Sequence, residues 1–533
     1  MTYMKRGLED RKRTVPQSQP IPGQEARMAK NEAGGFTFKA DSWQKYQRWL
    51  ILGSESNLYY ATAEKQTVQA SDALRDCIRQ NGVEAVNMAV DVSVAGRSIK
   101  PETSIVAVAY GLIYGDADTK KAAEQAVSKV CRTGTHILHL AQYINQIGAW
   151  SRLKRRAVAN WYTSKTTDSL AFQVAKYQNR DGWTHKDVLR LTHAKPLPGA
   201  QTDIFHWIMN GADKDHNLPH ILGAMEDAKK ADKAGVIGLI KEYGLSREML
   251  PTQFLSDPDV AVALMDKQPP HALIRNLANY TRYGVFQDRN VLRMVMDRLT
   301  DQEKLVKARV HPIDALKAML TYGSGHGNLG NNSWVPVQAL VDALDQAFYK
   351  TFKGLETIGG NILVAIDESG SMHSGEIGGV PGLHPALASA AYAMTVASTD
   401  PTTDFIAFTD TVNTIREVPI AARRRLDDVL KTFGGVGRGT DCAAPIEWAK
   451  RKGRSYDLFV IITDNQTWAG AHQVQQVADH YRQTINPKAR FVTVAMAGYG
   501  GNILDTERPE NFHVSGFDAS APELIRLFAQ GEL

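Results

Sequence analysis

The feature that most constrains this chain is a change of pattern near residue 360. Residues 40–355 consist of successive amphipathic stretches with helical periodicity, such as ETSIVAVAYGLIYG and DTKKAAEQAVSKVCR. From residue 361 onward, continuous apolar runs alternate with helix-like segments; these runs are NILVAID, DFIAFTD, DLFVIITD and RFVTVAMAG. Because 533 residues are too many for one hydrophobic core, the change predicts a boundary between two domains.

Each part predicts its own fold class. Serial short helices are typical of an all-α solenoid of HEAT or armadillo type, although an ordinary helical domain would give a similar pattern. Buried strands alternating with helices predict an α/β domain with a doubly wound parallel sheet. The predicted organisation is a flexible N-terminal arm over 1–32, a helical domain over 33–360 and an α/β domain over 361–533.

Composition excludes several classes of protein. Hydrophobic content is 43% and the formal net charge is +5, as in ordinary globular proteins. The three cysteines are scattered and form no CxxC pair, so the sequence predicts neither a disulfide framework nor a zinc ribbon. No apolar run reaches the length of a membrane span, and the N-terminus lacks the apolar core of a signal peptide. We therefore expect a cytoplasmic protein.

Oxygen-bearing side chains follow the predicted strands of the α/β domain. The set comprises Asp367, Ser369, Ser371, Thr440 and Asp464. In a parallel sheet the carboxyl ends of the strands lie at one edge, where ligands bind. Carboxylates and hydroxyls are hard ligands that suit Mg²⁺, and the absence of histidine or cysteine from the set argues against zinc.

These five residues resemble the metal-ion-dependent adhesion site of von Willebrand factor A domains. The D-x-S-x-S motif, the threonine and the aspartate occur in that order, and each follows the expected element. A phosphate-binding loop is an alternative for GGVGRGTD, but this stretch matches neither glycine-rich nucleotide motif. Hydrolytic metal chemistry would need a second metal or a positioned base, and neither is evident. We therefore predict no enzymatic activity.

Positive charge is concentrated in residues 151–195. This stretch has ten Lys and Arg against three Asp and Glu, a net charge of +7 in a chain of +5. Aromatic residues are interleaved with the cations, which suits nucleic-acid binding through phosphate contacts and base stacking. A solvated basic face with core aromatics would look the same. Lys176 and Arg180 are four residues apart, which predicts a shared helix face. His136, His139, His185 and His193 lack the pattern of a metalloprotease, so they are expected to be hydrogen-bonded structural residues or RNA contacts rather than metal ligands.

Several motifs in order make the chain resemble the Ro ribonucleoprotein autoantigen family, in which a TROVE domain precedes an A domain. The resemblance extends from about residue 33 to the C-terminus. Within the family, the chain is most similar to the bacterial members. The motifs are GSESNLYY, AVSKVCRTGTH, KYQNRDGWTHKDVLRLTHAKP, LIRNL, KARVHP, TYGSGHG, AFYKTFK, DESGSM, GTDC and ITDNQTWAG.

The resemblance implies a ring of HEAT-like helices closed by the A domain. Such proteins bind small Y RNAs on the outer surface of the ring and single-stranded ends of misfolded RNA in its central hole. They act in RNA quality control and stress responses with a 3′-to-5′ exoribonuclease such as polynucleotide phosphorylase. We expect a monomer, because one chain would close the ring.

The resemblance also assigns candidate RNA contacts. Lys176, Arg180 and His193 match the family's Y RNA contacts in residue type and spacing. Arg132, Thr135 and His136 are expected near the RNA surface, and Arg275 and Lys307 near the hole. The alternative function is a metal-dependent protein-interaction module without a specific RNA role.

Overall fold

The computed structural model describes residues 14–52, 63–98, 101–327, 332–434, 439–496, 501–517, 519 and 521–532. The motif GSESNLYY, residues 1–13 of the predicted arm and residues 435–438 of the glycine-rich loop lie outside these ranges. Within the described part of the chain, every helix is too short or too polar to cross a bilayer. The cysteines Cys77, Cys131 and Cys442 are free and buried.

The chain starts with a hairpin of strands β1 (Met28–Lys30) and β2 (Phe36–Lys39). A long array of helices follows: α1 Ser42–Leu52, α2 Ala63–Val94, α3 Glu102–Tyr114, α4 Ala117–Val130, α5 Gly134–Ile147, α6 Arg152–Thr163, α7 Thr167–Lys176, α8 His185–Thr192, α9 Ala200–Asn210, α10 His220–Ala228, α11 Lys233–Tyr243, α12 Pro258–Asp266, α13 Pro270–Arg282, α14 Arg289–Thr300, α15 Gln302–Lys307, α16 Pro312–Gly323 and α17 Gln338–Lys350. A short hairpin, β3 (Asn179–Arg180) and β4 (Trp183–Thr184), separates α7 from α8.

Local sequence signals explain where these helices begin. The side chains of Asp116, Thr133, Ser151 and Thr166 cap four successive helices by accepting a hydrogen bond from a first-turn amide. Each helix then buries one apolar face, and neighbouring faces form a continuous core. The predicted helical domain is therefore present as an array of short, packed helices.

The second domain is built on a six-stranded sheet in the order β11–β9–β8–β5–β6–β7. Its strands are β5 Ile362–Asp367, β6 Asp404–Phe408, β7 Arg416–Glu417, β8 Leu458–Thr463, β9 Arg490–Ala495 and β11 Asn511–Ser515, while β10 Gly501–Asn502 lies outside this sheet. All neighbours are parallel except β6 and β7. The helices are α18 Pro385–Thr399, α19 Leu426–Leu430, α20 Ala444–Arg451, α21 Val474–Thr484 and α22 Ala521–Gln530.

Residues 14–32 depart from the prediction of a flexible arm. Gln17 is fully buried against the α/β domain, and the Arg27 guanidinium donates two hydrogen bonds to the Asp505 carboxylate, at 2.7 and 3.0 Å. Strand β2 pairs with β10, so the N-terminal hairpin extends into a three-stranded sheet with the second domain. The prediction failed because the partners of this polar segment lie more than 400 residues away, where sequence periodicity gives no signal.

The helical array contacts the α/β domain at both of its ends. At the first end, α1 lies beside β11, and Gln44 Nε2 donates to Thr506 Oγ1 at 2.6 Å. At the other end, residues of α16 and α17 share one apolar core with the sheet, and Lys317 Nζ donates to the Phe517 carbonyl at 2.8 Å. The α/β domain therefore closes the helical array into a ring within one chain.

Candidate functional sites

The carboxyl ends of β5 and β8 bring four of the five predicted metal ligands into one connected group. The Ser369 amide donates to Asp367 Oδ1 at 2.8 Å, and the hydroxyls of Ser369 and Ser371 are 3.3 Å apart. Ser371 also hydrogen-bonds the Asp464 carboxyl. Asp367 is fully buried and Asp464 nearly so. Strand register explains the arrangement, because β5 and β8 are parallel neighbours that end together.

Burial and mutual repulsion shape the acidity of the two carboxyls. Burial, followed by the nearby charge of Asp464, raises the pKa of Asp367 to about 7. Burial also raises the pKa of Asp464, although its hydrogen bond from Ser371 opposes the shift. No lysine or arginine of the described residues contributes to the shift at Asp464. A bound cation would supply the missing positive charge.

Thr440, the fifth predicted ligand, lies in a loop that is fixed to the loop carrying Asp464. Its buried carbonyl accepts hydrogen bonds from the amides of Trp468 and Ala469, each at 3.0 Å. The amide of the adjacent Asp441 donates to the Thr409 carbonyl at 2.8 Å. These backbone contacts hold the loop at the same edge of the sheet as the other ligands.

Gln17 joins these two loops from the N-terminal segment, a role that the sequence did not reveal. Its Nε2 donates to Asp441 Oδ1 at 2.7 Å, and its Oε1 accepts from Thr467 Oγ1 at 2.5 Å. Gly470 permits this approach, because a Cβ there would lie 2.3 Å from Gln17 Nε2 and 2.4 Å from Asp441 Oδ1. The ligand loops are thus supported by a residue from the other end of the chain.

An ion pair with the half-exposed Arg416 stabilises the buried carboxylate of Glu368, the residue that follows Asp367. Glu368 is 3% exposed and accepts hydrogen bonds from the Arg416 guanidinium at 2.5 Å and the Gly434 amide at 2.8 Å. The Glu368 charge is therefore neutralised locally. Three buried carboxyls with raised pKa values remain at this edge, those of Asp367, Asp464 and Asp441. The oxygen-rich group fits a hard divalent ion.

The predicted RNA contacts lie on and near α7 and α8, but one expectation about them is wrong. Helix α7 ends at Lys176, and Arg180 lies on the exposed β3, so these two residues do not share a helix face. Asp181 and Gly182 both have positive φ, +54° and +78°, as in a two-residue hairpin turn. The Asp-Gly pair is a strong sequence signal for such a turn.

The two cations and His193 nevertheless lie on neighbouring surface elements. Lys176 Nζ lies 5.4 Å from the ring centroid of Tyr177, and the Arg180 side chain is 55% exposed. The Tyr177 carbonyl contacts His185, at the start of α8, and the exposed His193 caps the other end of that helix. Eight residues of helix separate the two ends by about 12 Å.

Two of the aromatic residues in the basic stretch belong to the core. Trp161 and Tyr162 are fully buried, and the Tyr162 hydroxyl donates to His185 Nδ1 at 2.8 Å. Their role is therefore packing rather than stacking on a base. His185 is itself buried, and the buried His139 pairs with Asp181, so for these two histidines the structure favours the structural alternative over RNA contact.

A basic cleft of about 730 Å³ lies beside His193. It is lined by four further cations and the ring of Trp150; the cations are Arg152, Arg155, Arg156 and Lys195. Of these, Arg156 forms an ion pair with Glu124 at 2.6 Å, whereas Arg152 and Lys195 are exposed. The cleft extends the cationic surface well beyond the three residues that the sequence singled out.

The other predicted contacts occupy two separate places. The Arg132 guanidinium donates to the Ser93 carbonyl at 2.6 Å, and Thr135 and His136 follow in the first turn of α5, half-buried. Burial and the charge of Arg132 lower the pKa of His136. Arg275 instead lines a cavity of about 420 Å³ beside the α/β domain, together with His271, Lys317, Tyr322 and Trp334. Lys307 ends α15 and is exposed.

Comparison with known proteins identifies both domains. Residues 361–529 match the Ro60 vWA domain, and residues 29–243 and 242–324 match the TROVE domain. The chain belongs to the Ro60 family. Among Ro60-family relatives, the RNA-binding protein RO60 of Deinococcus radiodurans is 34% identical, with 95% of this chain and 96% of that protein covered. The RNA-binding protein RO60 of Caenorhabditis elegans is 28% identical, with 94% and 90% covered.

A solved Ro60-family structure supports the architecture. The crystal structure of the Deinococcus radiodurans RO (RSR) protein matches with a TM-score of 0.75 at 35% identity, and the match covers 92% of this chain and all of that one. The resemblance read from the sequence and the predicted fold class are thereby confirmed: a helical TROVE region precedes an α/β vWA-like domain.

Proposed function

We propose that this chain is the RNA-binding scaffold of a ribonucleoprotein. The observation that carries the proposal is the cationic surface on α6–α8. It comprises Lys176 and Arg180 near the start of α8, and His193 at the end of that helix beside an arginine-lined cleft. Exposed cations bind the phosphate backbone by releasing its counterions, and recognition then depends on RNA shape more than on base identity. Relatives that match nearly the whole chain carry the name RNA-binding protein.

The proposal distinguishes two RNA sites. A small stem-loop RNA of the Y type binds the outer surface through Lys176, Arg180 and His193, with Arg132, Thr135 and His136 near its edge. A single-stranded end of a misfolded RNA enters the ring and meets Arg275. The cavity at Arg275 suits a single strand, because it combines cations with the aromatic rings of Tyr322 and Trp334.

The A domain adds a metal-dependent contact to this scaffold. We infer that Asp367, Ser369, Ser371, Thr440 and Asp464 hold Mg²⁺, which neutralises the two buried carboxylates and offers an open position to an acidic group of a partner. A 3′-to-5′ exoribonuclease such as polynucleotide phosphorylase is the proposed partner for RNA quality control. The proposed role is binding and presentation of RNA in the cytoplasm by a monomeric ring, not catalysis.

A gel-shift titration at two salt concentrations tests the RNA proposal. The probes are a Y-like stem-loop and a duplex with a single-stranded 3′ tail. The variant Lys176→Ala/Arg180→Ala/His193→Ser is expected to lose mainly the stem-loop, by roughly 100-fold at low salt, since two phosphate contacts and an imidazole are removed. Arg275→Ala is expected to weaken mainly the tailed duplex.

The matched control is Lys450→Ala/Lys488→Ala/His480→Ser, which likewise removes two cations and one histidine, here from exposed positions of the A domain. Equal losses in the two triple variants would mean that net charge alone drives binding. Absence of binding by the wild type at moderate salt would overturn the RNA proposal.

The second candidate is a metal-dependent protein-interaction module without a specific RNA role. The buried, oxygen-rich group at Asp367 favours it, since this group would serve a protein partner whether or not RNA binds. Under this alternative, Asp367→Ala abolishes partner capture, and the cationic triple variant has no effect on any RNA-dependent property.

A further inference from the structure

A cluster of three potential metal ligands lies in the helical region, away from the A domain. His206 is on α9, and Asp213 and His216 are on the loop that joins α9 to α10. His206 Nδ1 is 3.3 Å from Asp213 Oδ2, and His216 Nδ1 is 2.8 Å from Asp213 Oδ1. One potential ligand atom from each residue lies within 4.8 Å of the other two.

The loop conformation explains why these residues meet. Helix α9 ends at Asn210, and Gly211 adopts a φ of +89°, which turns the chain back toward the helix. Asp213 Oδ1 then accepts hydrogen bonds from the amides of Asp215 and His216, each at 3.1 Å. This local turn holds the carboxylate between the two imidazoles.

Two features of the cluster are unusual for a purely structural hydrogen-bond group. The imidazoles of His206 and His216 stack face to face, with centroids 3.6 Å apart and planes inclined by 6°. In addition, His206 Nδ1 is buried and has no hydrogen-bond partner among the described residues, although it faces a carboxylate oxygen. Buried ring nitrogens of this kind are normally satisfied by a partner.

We propose that His206, Asp213 and His216 bind one transition-metal ion of the Zn²⁺ class. Imidazole nitrogens with a carboxylate select zinc, cobalt or nickel over magnesium, so this site differs in preference from the oxygen-only group of the A domain. Metal coordination satisfies His206 Nδ1 and replaces the contacts that each imidazole makes with Asp213. Three protein ligands leave further positions for water or for a group outside the chain.

The three-ligand cluster lies next to the helices that carry the cationic surface. Helix α9 packs against α7 and α8, which end at Lys176 and His193. A metal that links α9 to its following loop therefore fixes the end of a helix that supports the cationic surface. The metal proposal itself does not depend on RNA binding.

Titration of the metal-depleted full chain with Co²⁺ and Zn²⁺, in excess Mg²⁺, tests the proposal. Co²⁺ absorption reports coordination by nitrogen and oxygen, and calorimetry gives the stoichiometry for Zn²⁺. We expect one Zn²⁺ per chain and an affinity at least about tenfold lower in His206→Gln, Asp213→Asn and His216→Gln. His216→Gln lies on a surface loop and leaves the helix intact, so it remains informative if His206→Gln fails to fold.

Two controls separate this site from others. His220→Gln removes an exposed histidine from the adjacent α10, and Asp464→Ala disables the A-domain group. Both are expected to bind Zn²⁺ as the wild type does. The proposal is overturned if the wild type binds no Zn²⁺, or if the three cluster variants bind it with unchanged affinity and stoichiometry.

Discussion

The metal-ligand edge of the A domain and the cationic surface of the helical region place their charges in opposite environments. Asp367 and Asp464 are buried beside each other at the end of a sheet, and burial raises the pKa of both carboxyls. Arg180 and His193 are exposed on a hairpin and a helix end. Hydrogen bonds fix the positions of the buried carboxyls, whereas the exposed cations remain hydrated until a ligand binds.

This difference teaches which variable controls each region. A buried pair of carboxylates responds to metal ions and tolerates little change in geometry, because it has no solvent to screen the repulsion. Exposed cations respond to ionic strength, because their interactions with a polyanion exchange counterions. Substitutions and conditions that affect one region should therefore leave the other nearly unchanged.

The largest expected effect is on the proposed Mg²⁺ site. Asp367→Asn should reduce Mg²⁺ affinity on the order of 1000-fold, more than the 10–100-fold typical of residues that only support a metal ligand. The protein should remain folded, because the substitution removes a buried charge rather than adding one. Calorimetric titration with Mg²⁺ measures the loss. Equal RNA affinity in the variant and the wild type would support the independence of the two regions. A parallel loss of RNA affinity would show that they are coupled.

A pH effect is expected next, from a buried group beneath the cationic surface. His185 accepts a hydrogen bond from Tyr162 and contacts the Tyr177 carbonyl, and burial lowers its pKa to about 4. The folded state thus keeps this imidazole neutral, while the unfolded chain binds a proton below its ordinary pKa of 6.5. The stability contribution is complete above pH 6.5 and is lost as the pH falls toward 4, by roughly 3 kcal/mol in total.

Urea unfolding at pH 7 and pH 4.5 measures this loss, with His185→Gln as the comparison. The variant should show a shallower decline because glutamine does not titrate. His311, whose pKa burial also lowers to about 4, remains in both proteins and so cancels in the difference. Identical declines in the two proteins would show that His185 does not carry the effect.

A smaller effect is expected from a single cation. Lys176→Ala should weaken binding of the stem-loop RNA by about tenfold at low salt and reduce the slope of log affinity against log salt by about 1, as the loss of one phosphate contact predicts. Filter binding over a range of salt concentrations gives both quantities. A slope that does not change would place Lys176 away from the phosphates.

The smallest effect is expected at the support of the metal loops. Gln17→Ala removes hydrogen bonds to Asp441 and Thr467, so Mg²⁺ affinity should fall by about five- to tenfold while the ligands themselves remain. Gln24→Ala, on the same segment, is the control, and it should bind Mg²⁺ as the wild type does. A full loss of binding in Gln17→Ala would mean that the segment determines the fold of the site rather than its rigidity.

Much of the architecture could be predicted because its signals are local. The apolar runs before Asp367 and Asp464 identify buried parallel strands. The carboxyl ends of such strands meet at one edge of the sheet, independently of the conformation of the loops. The placement of Gln17 and the meeting of His206 with His216 could not be predicted in this way. The first depends on contacts across 424 positions, and the second on a turn at Gly211 without a known ligand spacing.

The basic stretch shows where residue type alone misleads. Trp161 and Tyr162 have the composition of a stacking surface, but their helix buries them because they lie on its apolar face. Lys176 and Arg180 have helical spacing, but α7 ends at Lys176 and Arg180 lies on β3 of the hairpin that follows. In the first case, the position of the side chains depends on which face of the helix is buried. In the second case, it depends on where the helix ends. Composition specifies neither.

Residues 14–39 can dock on the A domain only after that domain has been synthesised. Gln17 leaves the ribosome 424 residues before Asp441, which at 5–20 residues per second is a delay of roughly 20 to 80 s. During that interval, the first strands of the protein exist without the surface that they will cover. The ring can therefore close only after the A domain has emerged. In a nascent chain that stalls earlier, both ends of the helical array lack the domain that they contact in the folded protein.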